Sequence, residues 1–247
     1  KRLVEDGHEV KNFLKKKTKS KKNTEYTYFD LTKEIKYDFT TIDVLIFTAY
    51  DFKIKKDAQI NDINIFKTVK LINNAKLQGV KKVFFISTLS SFEGCKSKYG
   101  MAKLEVEKKI KDTNTFIIKP GIIVGREFGG IAKTLDDFSD YYVLPLPYKK
   151  ETFMYITCRN SIYKYIHSHL DNRNYNFETK ILVDTQAMDL ISLIKNLNRI
   201  SNKKNPIFIK VYPFIFYLLL YLFQVVYPST RIGVDNLSSL LNTKKII

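Results

Sequence analysis

Tyr99 and Lys103 stand four residues apart in the stretch "SKYGMAKLEVEKK", residues 97–109. On a helix that spacing puts both side chains on one face, one turn apart. An ammonium beside a phenol favours the phenolate and draws the tyrosine below its usual pKa of about 10. Such a tyrosine can pass a proton to or from a hydroxyl or carbonyl oxygen. The spacing carries no weight alone. With 36 lysines (42 Lys+Arg less six arginines) and 16 tyrosines, about two such pairs arise by chance.

The surroundings add the weight. Tyr99, Lys103, Val106 and Ile110 form one helical row. It follows closely on "KKVFFIST", residues 81–88, an apolar run of the kind buried on both faces of a parallel sheet. Ser87 or Thr88, at the end of that run, supplies a hydroxyl to hold the same substrate oxygen, and register leaves both open. Hydroxyl, tyrosine and lysine together make a proton-transfer site.

Such a site needs a scaffold, and the apolar pattern supplies one. "HEVKNFLKK", "TEYTYFDLTK" (24–33) and "TIDVLIFTAY" (41–50) read as strands. Residues 57–78 read as a helix stopped by Gly79, and "TFIIKPGIIVG" (115–125) as a strand broken at Pro-Gly. Alternating strands and helices predict an α/β, doubly wound parallel sheet. Ligands of such sheets sit at the carboxyl ends of the strands. The weight therefore falls on Thr48, Ala49 and Tyr50, on residues 87–91, and on Lys119, Pro120, Gly121 and Ile122.

Beyond Gly125 the pattern predicts a smaller α+β lobe. It holds a strand in "ETFMYITCRN", a helix "SIYKYIHSHL" capped by Asn160, a strand "KILVD" and a helix "MDLISLIKNLNRI". The apolar stretch 208–228 predicts a helix packed on the lobe or lying on a membrane surface. Lys210, Pro213 and Gln224 leave its uninterrupted run short of the roughly 20 residues a span requires.

Composition narrows the function classes. The chain has 247 residues, 45% hydrophobic, enough for a sizeable core. Its charge is +17, carried by lysine without a recognised nucleic-acid motif, so nucleic acid is not an expected partner. Cys95 and Cys158 make no metal-binding spacing and fit a reducing cytoplasm. His167 and His169 do not share a helical face, so no metal site is expected and a solvated helix end is.

The runs "VKKVFFISTLSS" and "SKYGMAKLEVEK" resemble the extended short-chain dehydrogenase/reductases, the NAD-dependent epimerase/dehydratase group. The resemblance covers most of residues 1–125 and, more loosely, 150–200. It implies a Rossmann-like fold, with Tyr99 as acid/base, Thr88 orienting the substrate oxygen, and Lys103 also holding the cofactor ribose. Asp30 in "FDL" would contact the adenine. Ala49 would hold the turn after the family's fourth strand, with Thr48 and Tyr50 beside it. Asn64 matches an asparagine of the next helix. Ser87, Lys119, Pro120, Gly121 and Ile122 would lie near the nicotinamide.

The resemblance has gaps. None of the nine glycines makes the family's G-x-x-G-x-x-G turn. "KRLVEDGHEV" reads as the end of the helix that should follow that turn, so the sequence is expected to begin inside a fold that lacks its first strand. That divides the chain into an incomplete dinucleotide-binding domain, 1–125, and a substrate-binding lobe, 126–247. This chain is expected to bind dinucleotide poorly. Lys15 and Lys16 stand where NAD-specific members place an acid, which leans the cofactor, NAD or NADP, towards NADP. Leu89 and Ser90 replace the Asp-Glu pair of the 4,6-dehydratases, so dehydration is disfavoured. The implied function is a sugar epimerase or 4-keto reductase of surface polysaccharide synthesis. Its substrate would be a nucleotide- or polyprenyl-linked sugar, its setting the cytoplasm or the inner face of a membrane, its further partner a second copy. A non-catalytic dinucleotide-binding relative is the alternative.

Overall fold

A computed structural model describes residues 2–15, 24–33, 37–111, 114–148, 151–170, 178–226, 241 and 243–246. The chain divides into two compact units. One comprises Lys1–Ile86, Glu105–Ile117 and Tyr163–Glu178; the other comprises Ser87–Leu104, Ile118–Ile162 and Thr179–Ile247.

In the first unit a short helix, α1 (Arg2–Glu5), ends at Gly7, whose φ of 93° suits glycine. Strands β1 (Val10–Leu14) and β2 (Thr24–Tyr28) pair in parallel. β3 (Val44–Phe47) pairs in parallel with β4 (Lys82–Ile86). The crossover between them is α2 (Asp57–Gln59), a π-helical segment (Ile60–Lys67) and α3 (Thr68–Leu77). Gly79, at φ 103°, lies just past its end. Phe47 stacks on Phe85 and Phe84 on Phe116, over a core that includes Ile72, Ala75, Val83 and Val106.

Strand β5 (Thr115–Pro120) is divided between the units, and β9 (Thr179–Leu182) lies in the second. In the first unit Val83 N–H donates to the Asn114 carbonyl; in the second, Ser87 N–H donates to that of Ile118. The partners advance together, as in a parallel pair. β1 and β2 form a separate two-stranded sheet.

In the second unit lie the greater part of α4 (Lys98–Ile110), β6 (Ile122–Val124), α5 (Gly130–Phe138), β7 (Val143–Pro147) and β8 (Ile156–Cys158). α6 (Arg159–Ser168) starts there, and α7 (Leu190–Ser201), β10 (Ile207–Val211) and α8 (Pro213–Val226) complete it. β6 pairs with β8 and β10 with β7, both in parallel. Its core gathers Val124, Ala132, Leu135, Leu193, Ile194 and Leu197, among others. Asp189 caps α7 by accepting from Ser192 N–H at 2.7 Å.

Three expectations are corrected. The stretch 208–228 is not one helix: β10 ends at Val211 and α8 begins at Pro213. Alternating β-branched Ile207, Ile209 and Val211 favour the strand, and proline suits the first position of a helix. α6 starts at Arg159, so Asn160 lies inside it instead of capping it. His169 is not a solvated end: it packs 4.4 Å from Tyr165 and 5.2 Å from Phe116, its Nδ1 2.8 Å from the Tyr165 carbonyl.

Candidate functional site

The residues expected to do chemistry fall in the second unit. After β4 the chain turns through Ser87–Ser91, a loop held by its own hydroxyls. Ser91 Oγ donates to the Thr88 carbonyl at 2.6 Å and lies 3.2 Å from Ser87 Oγ. Ser90 N–H donates to Thr88 Oγ1 at 3.2 Å. Ser87 is buried and Thr88 half-buried, so Thr88 is the more accessible hydroxyl of the two. Leu89 N–H reaches the Pro120 carbonyl at 3.2 Å, which ties the loop to the end of β5.

Helix α4 begins beside that loop. Ser97, just before it, accepts from Gly100 N–H at 3.0 Å, an N-cap bond that sequence reading missed. A Cβ on Gly100 would collide with the Ser90 carbonyl oxygen and sit 2.8 Å from Ser97 Oγ. The first turn of α4, with Tyr99 on it, is therefore pressed against the Ser87–Ser91 loop. Tyr99 is half-buried, whereas Lys103, one turn on, is only 3% exposed. A buried ammonium is costly unless partnered and is placed for a purpose more specific than solubility.

The residues after β5 make a second rim of the same unit. Lys119 Nζ donates to the Ser91 carbonyl at 2.6 Å, so this lysine braces the loop. Gly121 N–H donates to Thr157 Oγ1 at 2.8 Å, and a side chain on Gly121 would run into the Tyr155 carbonyl. Thr157 is fully buried and its hydroxyl donates a hydrogen bond to the Leu182 carbonyl at 2.5 Å. It too was missed: a threonine in a short strand carries no signal until its neighbours are known. Pro120 and Ile122 are buried on either side of Gly121.

Of the residues expected to hold a dinucleotide, Ser87, Lys103, Lys119, Pro120, Gly121 and Ile122 are those of the second unit just described; Lys15, Asp30, Thr48, Ala49 and Tyr50 lie in the first, beyond the carboxyl ends of β1, β2 and β3. Lys15 Nζ sits 3.1 Å from Asp30 Oδ2 and 3.4 Å from Asp51 Oδ2. Burial alone would raise the Asp30 pKa. The two Thr32 hydrogen bonds, at 2.7 and 3.0 Å, and Lys15 outweigh it and hold the carboxyl down at about 2. Lys15 is raised in turn, chiefly by its bond to Asp30. Buried Asn64, in the π-helical segment, grips the Asp51 backbone from both sides, accepting its N–H at 2.8 Å and donating to its carbonyl at 3.2 Å. Widened helical turns of this kind recur at functional sites. Thr48 is exposed, while Ala49 and Tyr50 are half-buried; Tyr50 packs 4.7 Å from Phe52. Lys16 lies outside the described residues.

Mostly parallel sheets with crossover helices define an α/β, Rossmann-like fold. No family model and no curated protein sequence matches the chain. Solved structures do. MoeE5 in complex with UDP-glucuronic acid and NAD superposes with a TM-score of 0.66 at 12% identity, over 98% of this chain and 91% of that one. UDP-glucose 4-epimerase from Thermotoga maritima gives 0.64 at 14% identity, over 86% and 81%. The dTDP-4-dehydrorhamnose reductase of Bacillus anthracis, in complex with NADP, gives 0.57 at 17% identity, over 78% of each chain. At these identities the likeness establishes the fold that this chain shares with nicotinamide-dependent nucleotide-sugar enzymes.

Proposed function

We propose that this protein is an NAD(P)-dependent epimerase or 4-keto reductase of the extended short-chain dehydrogenase/reductase group. Its substrate would be a nucleotide- or lipid-linked sugar destined for a surface polysaccharide. The observation that carries the reading is the seating of Tyr99 and buried Lys103 on the turn of α4 that Gly100 presses against the Thr88 loop. We assign residues 1–125 to the cofactor and 126–247 to the substrate.

The donor set of the first unit fits the adenosine end of a dinucleotide. Asp30 and Asp51 are carboxylate acceptors beyond parallel strand ends, one of them held ionised far below neutral pH. Two carboxylates around Lys15 leave that cluster with one net negative charge. That suits free ribose hydroxyls better than a 2′-phosphate and weakens the lean towards NADP drawn from Lys15 and Lys16. A bound nicotinamide supplies or takes the hydride at the sugar carbon. Thr88 donates a hydrogen bond to the reacting sugar oxygen, Tyr99 exchanges the proton with that oxygen, and Lys103 favours the phenolate form of Tyr99.

The second reading is a dinucleotide-binding relative of the same fold without catalysis; the sequence carries no glycine-rich turn to cradle a pyrophosphate, which weighs against tight cofactor binding in either reading. Turnover of UDP- or dTDP-sugars that falls in Tyr99→Phe supports the enzyme. Cofactor binding without turnover of any of these sugars supports the relative, and turnover unchanged by Tyr99→Phe removes Tyr99 from the proton-transfer role.

A further inference from the structure

α8 contains no charged residue in its 14 positions. Phe216 and Leu220, one turn apart, are buried in the core of the second unit. The opposite side carries Phe214, Ile215, Leu218, Leu219, Leu222 and Val225, each between 43% and 78% exposed. At 3.6 residues per turn these six cover a continuous arc of about 140°. Tyr212, just before the helix, and Tyr221 on it are 75% and 60% exposed. Soluble monomers seldom leave so large an apolar face in water.

We propose that this face of α8 lies in the surface of an anionic lipid bilayer, with the helix parallel to the membrane plane. The proposal rests on the exposed apolar face of α8 and the charge of its unit, and not on the sugar chemistry. Charge selects the occupant. From residue 190 to 226 there is no Asp or Glu, and Lys195, Arg199, Lys203, Lys204 and Lys210 are all cationic. Lys203 is paired with Asp136 and Asp140, and Lys195 and Lys210 lie in the field of Asp189; Lys195, Arg199, Lys204 and Lys210 are exposed. A second copy would set like charge against like charge, in a chain whose total is +17. Anionic headgroups complement that charge. Tyr212 and Tyr221 suit the boundary between headgroup and acyl chain. Among the described residues no helix is long and apolar enough to cross a membrane.

The test is co-sedimentation with vesicles of phosphatidylcholine and phosphatidylglycerol in equal parts, against vesicles of phosphatidylcholine alone. The bound fraction is expected to rise at least about tenfold on the anionic vesicles, to fall in high salt, and to be lost in a Phe214→Ser, Leu218→Ser, Leu222→Ser variant. The chain has no tryptophan, so Leu218→Trp gives a single fluorescent reporter, expected to be quenched by brominated acyl chains even if the triple variant fails to fold. No sedimentation of the wild-type chain overturns the proposal, as does an indole fluorescence that brominated lipid leaves unquenched in Leu218→Trp. A dimer that the triple variant abolishes, without vesicle binding, overturns it in favour of self-association. None of these results depends on turnover, so failure here leaves the catalytic reading standing.

Discussion

Gly100 lies so close to the Ser90 carbonyl that no side chain fits between them. The contact joins the first turn of α4 to the loop bearing Thr88, and so fixes where Tyr99 stands. Gly100→Ala must shift one of the two backbones. Overpacking of this kind costs about 1–3 kcal/mol, and a displacement of about 1 Å at a reacting group costs about a hundredfold in rate. Thermal melting and steady-state kinetics are expected to show a lower Tm together with a larger loss in kcat than in substrate affinity. Ser97→Ala, which removes only the cap bond, is expected to cost about 1 kcal/mol and little activity.

Tyr99→Phe removes one hydroxyl from a half-buried ring. Turnover is expected to drop by about 10² to 10⁴, the range of general acid–base catalysis, with the melting temperature nearly unchanged. Lys103→Met keeps the length of the side chain and removes the charge. If Lys103 favours the phenolate as proposed, its loss is expected to move the pH–rate profile to higher pH. An unshifted profile would assign Lys103 a purely structural part.

Acid stability should report on Asp30. Its folded pKa of about 2 lies below the unfolded value of 3.8, so its contribution is fully present above pH 3.8 and is lost as pH falls towards 2. Lys15 is half exposed, so the gain is discounted to on the order of 1 kcal/mol. Urea melts of wild-type and Asp30→Asn chains are expected to differ at pH 6 and to converge near pH 2.

The chain lacks a glycine turn for the pyrophosphate, so calorimetry with NADH or NADPH is expected to show weak or no binding to these 247 residues. If weak binding is measurable, Lys15→Ala is expected to change NADH and NADPH affinities by similar small factors, because Lys15 is committed to Asp30 and Asp51. Tight binding of either cofactor contradicts the first statement, and a Lys15→Ala loss confined to NADPH contradicts the second.

The parallel strands were readable because burial on both faces leaves a continuous apolar run: β4 is "KVFFI" and β5 opens with "TFII". The row Tyr99–Lys103 was readable because helix periodicity is local. β7 was not, since "VLPLP" carries two prolines that argue against a strand. It exists as one strand of a two-stranded sheet, paired with β10, about 60 residues later. That distant pairing also explains why 207–211 is strand and not helix. Gly100 offered a faint signal, a glycine inside a helix where alanine would be about 1 kcal/mol better. Its reason, the Ser90 carbonyl, lies outside the helix. Thr157 gave no signal, because its burial depends on β9 and the turn at Gly121.

The most direct measurement is incubation of the natural protein and its Tyr99→Phe variant with a panel of UDP- and dTDP-sugars and their 4-keto forms, with and without NADH or NADPH. The prediction is turnover by the wild type and its near loss in the variant. Isomer formed without net cofactor use would mark an epimerase, and stoichiometric cofactor oxidation on a keto sugar a reductase. Turnover undiminished in Tyr99→Phe, or no turnover of any sugar by a protein shown to bind the cofactor, would contradict it.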